Sequence, residues 1–430
     1  MTQDSSRHQH YSAISERLIA ATSGIRLLEA LSWPATVRHQ FLADWDRGQV
    51  ALPQVQYTPP DLGDMVSQLD QLLDELAHDD DPLAVYLAET ARSYLLAAQI
   101  IDHAGSAAAA QYSIALYGQP GDVLPGTRNG LTNRQAAEYF ANLATFCQSD
   151  SAATDDTYDA EVSQRRLQQA VDSLLRDDAV KVELDPDLVA KAAAGVQRIR
   201  LRSYARFTEH DLRQLIEHEA FVHSLTAING RYQPTLKVMA RSAPRTTGTQ
   251  EGLATFAELV TGSIDLARLR RISLRITAID LALQGADFIE VFRFLLDQGQ
   301  LAGEAFNSAM RVFRGAPLGG GSAFTKDTVY LHGLLSVHTF FRWCLSHQRL
   351  DRCYHLFSGR LTVSDVLALE AEFASGLIIA PRYLPPWMQQ RDHLAAYLAF
   401  SVFANDIEMH AGLQDDLAQD PVVAPRLLRD

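Results

Sequence analysis

Two histidines and a glutamate lie within six residues of one another near the middle of the 430-residue chain: His218, Glu219 and His223. Neutral imidazole nitrogens bind zinc, and a carboxylate beside the ion can take a proton from bound water. The sequence therefore predicts a hydrolytic zinc site with Glu219 as the general base. The alternative is that two hydrogen-bonded histidines and a helix carboxylate lie together by chance.

The spacing of the two histidines differs from that of the usual zinc helix, H-E-x-x-H, in which they are four residues apart and share a face. Here His223 follows His218 by five residues, so in a regular α-helix the two rings would point roughly 140° apart. A one-residue π-bulge would bring both to one ion, and such bulges favour functional sites. We therefore predict an irregular helix between the histidines.

A catalytic zinc usually has three protein ligands, and residues 246–259 offer two carboxylates for the third position. A Thr- and Gly-rich loop ends at Thr249, a suitable N-cap for the helix that follows. Glu251 would then lie in the first turn and Glu258 two turns later on the same face, so either could face the metal. Acidic residues are common in first turns because they suit the helix dipole. Gly252 indicates close packing or a neighbouring ligand there.

The elements that must position these residues are one long helix and a small sheet before it. Residues 209–229 have the apolar spacing of a helix, and Thr208 with Asp211 predicts a capped start. Alternation of apolar and polar side chains predicts short strands before that helix, at 180–184, 195–201 and 203–207. The glutamate at 219 falls on the apolar face, where burial is unfavourable unless something compensates its charge.

The rest of the chain is predicted to be mainly helical, with clear apolar periodicity at 64–76 and 83–101. The expected fold class is α+β, mainly helical with a small β-sheet. The domain organisation has five expected parts: a mobile tail at 1–10, a helical N-terminal part at 11–147, a linker at 149–158, a zinc-binding catalytic part at 159–410 and a C-terminal tail at 411–430. The two large parts are expected to form one continuous domain.

The composition excludes some classes of partner. The chain has 38 Lys and Arg against 52 Asp and Glu, a net charge of -14. An acidic surface argues against nucleic acid and against anionic membranes. Three cysteines without metal-like spacing fit a reducing compartment, and neither a signal core nor an apolar run of about 18 residues is found. We expect a cytoplasmic protein.

Four segments, taken in order, resemble a known family. HEAFVH (218–223) and TQEGLA (249–254) are similar to motifs of the bacterial flavohemoglobin expression-modulating QEGLA motif proteins. The same domain occurs in the microtubule-associated tyrosine carboxypeptidases, which remove the C-terminal tyrosine of α-tubulin. The resemblance extends to RVFRG (311–315) and FTKDTVYLHG (324–333), with counterparts at Asn229 and at LPPWM. It covers residues from about 20 to 410.

The resemblance implies a zincin-like metallopeptidase in which His218, His223 and Glu251 bind Zn²⁺ and Glu219 is the general base. It thereby favours Glu251 over Glu258 as the third ligand. The implied substrate is the C-terminus of a peptide or protein.

A Gly-rich loop with cations at both ends could hold that substrate. Arg314 and Lys326 flank it, and Arg311 lies one turn before. Arginine binds a terminal carboxylate bidentately, whereas lysine acts as a point charge. Tyr330, one helical turn beyond the lysine, could donate to a developing oxyanion. The alternative is a helix N-terminus with ordinary surface cations, capped by Asp327.

The function predicted from these residues is a zinc-dependent metallocarboxypeptidase. The alternative is a non-catalytic zinc-binding protein that modulates expression of another protein. The sequence leaves open the physiological substrate, exo- versus endopeptidase action, and the oligomeric state.

Overall fold

Over the residues that the structure describes, the chain folds mainly as helices with two small sheets, which confirms the predicted fold class. The computed structural model describes residues 3–127, 129–146, 157–175, 178, 180–186, 188, 191–195 and 197–404. Within these residues, seven helices precede residue 147: α1 (Gln3–Ala21), α2 (Leu27–Ala30), α3 (Ala35–Asp46), α4 (Gly63–Glu75), α5 (Pro82–Asp102), α6 (Ala107–Tyr117) and α7 (Asn133–Phe146). Helices α4 and α5 correspond to the two periodic runs of the sequence.

The described residues after the gap at 147–156 contain the strands and the remaining helices. The strands are β1 (Thr157–Tyr158), β2 (Lys181–Asp185), β3 (Ala192–Ala194), β4 (Arg198–Arg202) and β5 (Phe207–Thr208). The helices up to the middle of this part are α8 (Ala160–Leu174), α9 (Glu209–Leu215), α10 (Leu225–Arg231), α11 (Thr247–Val260), α12 (Leu266–Leu283), α13 (Phe288–Asp297) and α14 (Ala302–Phe313). The last six are α15 (Val329–Ser346), α16 (Arg352–His355), α17 (Val363–Ala368), α18 (Glu370–Ser375), α19 (Pro386–Gln389) and α20 (Arg391–Ala404).

Residues 3–10, predicted to be a mobile tail, are the first turns of α1; their mobility stays a prediction. Arg7 on this helix forms ion pairs with Asp81 at 2.6 Å and with Glu372 at 2.7 Å. These partners come from distant parts of the chain, so the ion pairs connect α1 to both of them. The predicted tail at 411–430 and most of the predicted linker at 149–158 lie outside the described residues.

The larger sheet has the order β2-β4-β3. Strand β4 pairs in parallel with β2 and antiparallel with β3, so β3 is an edge strand. Two of the predicted strands correspond to β2 and β4. The third is wrong over most of its length, because residues 203–204 form a turn, residues 205–206 have no regular structure and only Phe207 enters β5, which pairs with β1. Strand β3 escapes prediction because three consecutive alanines have no alternation.

A buried apolar cluster packs the sheet and α8 beneath the long central helix. Its members include Leu167, Val171, Ile199, Leu201, Phe207 and Phe221. A second and larger cluster joins residues from both sides of the gap, including Leu87 of α5 and Phe256 of α11. The division of the chain into a helical part and a metal-binding part stays a prediction.

Helices α11 and α15 cross at two glycines. A Cβ atom at Gly252 would lie 2.2 Å from the carbonyl carbon of Gly333, so neither position has room for a side chain. This confirms the close packing that Gly252 indicates in the sequence. Among the described helices, none combines the length and the apolar composition that a membrane span requires.

Candidate metal centre

The central helix widens where the two histidines lie. A capping box starts it: Asp211 N–H donates to the Thr208 hydroxyl, and the Thr208 N–H donates to the Asp211 carboxylate, each at 3.0 Å. After α9 the residues Ile216–Ser224 form a π-helix, and α10 continues beyond it. The capped start and the irregular helix are both confirmed.

The π-helix places the two imidazoles side by side. Its hydrogen bonds join residues five apart, so residues at i and i+5 lie on neighbouring turns of one face. The rings of His218 and His223 are 4.8 Å apart between centroids and are nearly perpendicular. Both side chains are largely buried, with 8% and 12% of their surface exposed.

Glu251 of α11 completes a group of three side chains that could hold a metal ion. Its Oε2 lies 3.4 Å from Nε2 of His218 and 3.6 Å from Nε2 of His223. One ligand atom from each residue lies within 4.8 Å of the other two. Ligands about 2.0–2.1 Å from a tetrahedral zinc are roughly 3.3 Å apart, so these residues fit the ion that the sequence predicts. The Oε2 atom is buried without a hydrogen-bond partner, as expected for a metal ligand.

The charge on Glu251 is fixed by its neighbours. Its other oxygen, Oε1, accepts a hydrogen bond from Nζ of Lys326 at 3.2 Å. Burial alone would raise the pKa of this carboxyl, but Lys326 and the two histidines outweigh burial and hold the pKa well below its usual value. The carboxylate is therefore anionic, with one oxygen bound by lysine and the other directed at the imidazoles.

Glu258, the other carboxylate of α11, lies behind His218. Its Oε1 is 2.7 Å from Nδ1 of His218, and Nη2 of Arg268 donates to the same oxygen at 3.0 Å. Burial alone would raise the pKa of Glu258, but Arg268 and His218 outweigh burial and lower the pKa to about 2. Because the anion accepts the Nδ1 proton, the lone pair of Nε2 is free for a metal. Of the two glutamates, only Glu251 therefore faces both histidines.

Glu219 lies beside this group and contacts the edge strand. Its Oε2 accepts a hydrogen bond from the Ala194 backbone N–H at 2.9 Å. The side chain is half-buried and lines the same cavity as the histidines. The edge strand therefore orients the carboxylate that the sequence predicts to be the general base.

A cavity of about 360 Å³ brings all the predicted site residues together. Its lining includes His218, Glu219, His223, Glu251, Arg311, Arg314, Lys326 and Tyr330. These residues come from the π-helix, α11, the end of α14, the 3₁₀ turn Thr325–Thr328 and the start of α15. A second cavity of about 420 Å³ adjoins the first and shares the two arginines and the tyrosine with it.

The three predicted substrate-binding cations have different surroundings. Lys326 is bound to Glu251, and Arg311 forms a bidentate ion pair with Asp327 at 2.5 and 2.6 Å. Arg314 has no carboxylate within 4.0 Å in the described chain; burial and the nearby Arg311 lower its pKa to about 10. Asp327 does not cap α15, because it pairs with arginine inside a 3₁₀ turn that precedes the helix.

Sequence reasoning misses one more cation in this cavity, Arg360. Only 6% of its surface is exposed, and it donates to the His223 carbonyl at 3.0 Å. Burial lowers its pKa to about 10, although Glu251, a nearby tyrosine and Glu219 partly offset that effect. It follows His223 by 137 residues and belongs to none of the motifs in the sequence, so only the fold reveals its place.

Comparison with known proteins gives one informative match. A sequence model of the microtubule-associated tyrosine carboxypeptidase family matches residues 39–406 of the chain. A search of curated protein sequences returns no significant match. Among solved structures, Trypanosoma cruzi metallocarboxypeptidase 1 aligns with 90% of this chain and 97% of its own, at 12% sequence identity and a TM-score of 0.33. That TM-score is too low for a common fold to be inferred.

Proposed function

The chain belongs to the microtubule-associated tyrosine carboxypeptidase family, and on that premise we propose that it is a zinc-dependent metallocarboxypeptidase that removes the last residue of a peptide or protein. The observation that carries the proposal is the orphaned, buried Oε2 of Glu251. This oxygen faces two imidazole nitrogens inside a cavity that also contains Glu219.

His218, His223 and Glu251 would hold the zinc. When bound, the ion polarises the scissile carbonyl and lowers the pKa of a water molecule to about 7. Glu258 supports this role because it fixes the proton of His218 on Nδ1 and leaves Nε2 free. Lys326 supports it by holding the other oxygen of Glu251.

Glu219 is the residue that we propose to move protons. The Ala194 N–H occupies its Oε2, which leaves Oε1 free to accept a proton from the attacking water. The same carboxyl group can then deliver the proton to the leaving amine. In the same cavity, Tyr330 can donate a hydrogen bond to the developing oxyanion.

The cations of the cavity suit a substrate that ends in a free carboxylate. Arg311, Arg314 and Lys326 give this region positive charge in a chain with a net charge of -14. Asp327 neutralises Arg311 and Glu251 neutralises Lys326. Of the three, only Arg314 therefore has no ion-pair partner in the described chain. An acidic group of the substrate would supply the missing counter-ion of Arg314.

The proposal is tested by metal analysis coupled to peptide digestion. We expect wild-type protein purified without chelator to hold about one zinc per chain and to shorten library peptides by one residue from the C-terminus, as read by mass spectrometry. The His223→Ala protein should lose both properties. Cleavage at internal bonds only would contradict exopeptidase action. Zinc-loaded protein that cleaves no peptide would favour the non-catalytic regulatory alternative.

A further inference from the structure

Arg360 is a buried cation in the wall of the first cavity, which contains the two histidines and Glu251. It lies in the segment between α16 and α17. Its backbone N–H donates to the carbonyl of Met239 at 2.7 Å, and its carbonyl accepts from the Tyr86 hydroxyl at 3.3 Å. The backbone is thus fixed by two separate parts of the chain. The side chain therefore enters the cavity wall from a fixed backbone position.

The guanidinium contacts neutral acceptors where a counter-ion would be expected. Its Nη2 donates to the His223 carbonyl at 3.0 Å, and its Nη1 donates to the Ser242 hydroxyl at 3.4 Å. The Nε atom is buried and has no partner. No carboxylate oxygen lies within 4.0 Å of Arg360 in the part of the chain that the structure describes. Glu251 and Glu219, which lie beyond ion-pair distance, offset the burial of this cation only in part. An anion bound from outside would therefore stabilise it.

Other cations close to the metal ligands do have counter-ions. Arg268 is paired with Glu258, and the lysine at 326 and the arginine at 311 are paired as described above. Arg314 shares the lack of a carboxylate partner, but it lies where the two cavities meet. Arg360 lines only the first cavity. A ligand anion at that end of the cavity therefore meets Arg360.

We propose that Arg360 binds the free C-terminal carboxylate of the substrate and so makes the site specific for chain ends. The inference rests on the proposed carboxypeptidase function. A guanidinium suits this role because its fork binds a carboxylate through two hydrogen bonds. Its bond to the backbone of His223 keeps the anchor at a fixed distance from the metal ligands. Cleavage at one residue from the chain end requires such a fixed distance.

The test is a binding measurement that does not depend on turnover. The protein is the zinc-loaded Glu219→Gln variant, and the probe is a fluorescent copy of the peptide that wild type cleaves fastest, as the free acid and as the C-terminal amide. We expect the acid to bind roughly tenfold to a hundredfold more tightly than the amide. Adding Arg360→Met should bring this ratio close to one without loss of zinc.

Two further variants separate anchoring from a structural role. Arg360→Lys keeps the charge but loses the two-pronged guanidinium, so the ratio of acid to amide affinity should fall only partly. If the Arg360→Met protein does not fold, this variant provides the test by itself. An unchanged ratio in Arg360→Lys would then refute the role of Arg360. Arg314→Met should keep most of the ratio. A ratio that persists in Arg360→Met and falls in Arg314→Met would overturn the inference alone. If the Glu219→Gln protein with Arg360 intact binds acid and amide equally, both the role of Arg360 and exopeptidase action are overturned.

Discussion

Two glutamates of the candidate site differ in how their oxygens are held. Glu251 has one oxygen bound by Lys326 and the other directed at the two imidazoles. Glu219 has one oxygen bound by the Ala194 N–H, and the other has no hydrogen-bond partner among the described residues. The first arrangement suits a metal ligand, and the second suits a group that exchanges a proton. Replacing each glutamate should therefore have a different consequence.

We expect Glu219→Gln to lose hydrolysis while keeping about one zinc per chain, because an amide of the same size cannot accept a proton. The fall in kcat should be roughly 10²- to 10⁴-fold. Glu251→Gln should instead weaken zinc binding, since it removes a charged ligand. Initial rates and elemental analysis of both proteins check the assignment. The reverse pattern would exchange the two roles.

A second prediction concerns the residue behind His218. Glu258→Gln keeps the shape of the side chain but removes the charge that fixes the Nδ1 proton and neutralises Arg268. Zinc affinity, measured by competition with a chelator, should fall by about 10- to 100-fold. Glu217→Gln is the matched control, because Glu217 is on the same π-helix but makes no hydrogen bond or ion pair with a site residue in the described chain. Equal affinities of the two variants would remove Glu258 from the metal centre.

Sequence spacing predicts that some of the site residues lie close together, but it does not place the others. The histidines and Glu219 are close in sequence, so their proximity needs only one helix. Glu251 and Glu258 lie on the same helix face, and residue-level reasoning cannot separate them without knowing how α11 packs against the π-helix. Arg360 is 137 residues from the histidine that it contacts. Its place depends on contacts that no local pattern encodes.

At the scale of helices and strands, sequence patterns predict the structure correctly where contacts between neighbouring residues determine it. The capping box at Thr208 is satisfied within three residues, and the histidine spacing itself requires the widened turn. The start of α11 is predicted three residues too late, with the N-cap at Thr249 instead of Thr246, because the 3₁₀ turn Pro244–Thr246 leads directly into the helix at Thr247. Tertiary packing, which the sequence pattern does not contain, sets that boundary.

The crossing of α11 and α15 gives a test at this scale. Gly252→Ala should destabilise the protein by about 1–3 kcal/mol, because the added methyl group overlaps the backbone of Gly333. The displaced helix should also weaken zinc binding, since Glu251 is the adjacent residue. Denaturant unfolding and chelator competition measure the two effects.

The matched control for this change is Gly248→Ala in the same helix. A Cβ atom there meets nothing within 4 Å, so the substitution should be neutral or slightly stabilising. If both alanine variants unfold at the same denaturant concentration as wild type, the close contact between α11 and α15 is not a constraint on stability.

For the whole molecule, the main feature is the separation of charge. The chain carries a net charge of -14, yet seven residues that line the second cavity are Lys or Arg and three are Asp or Glu. The net charge is read directly from composition. The basic cavity cannot be read from composition, because its cations come from residues 191–202, from α12 and from residues 311–314, which are separate in sequence. The same holds for Arg7, whose partners are Asp81 and Glu372.

The basic cavity should favour peptides with acidic residues before the cleaved one. Arg271 is exposed on its wall, so Arg271→Glu should raise KM for an acidic peptide several-fold and leave kcat nearly unchanged, because only long-range attraction is lost. The effect should shrink as salt rises from about 0.01 M to 0.15 M, where the screening length falls from about 30 to 8 Å. Arg391→Glu makes the same change of net charge on α20, away from both cavities, and should leave KM as in wild type. An equal rise of KM in both variants would mean that the peptide senses the total charge of the protein and not the charge of this cavity.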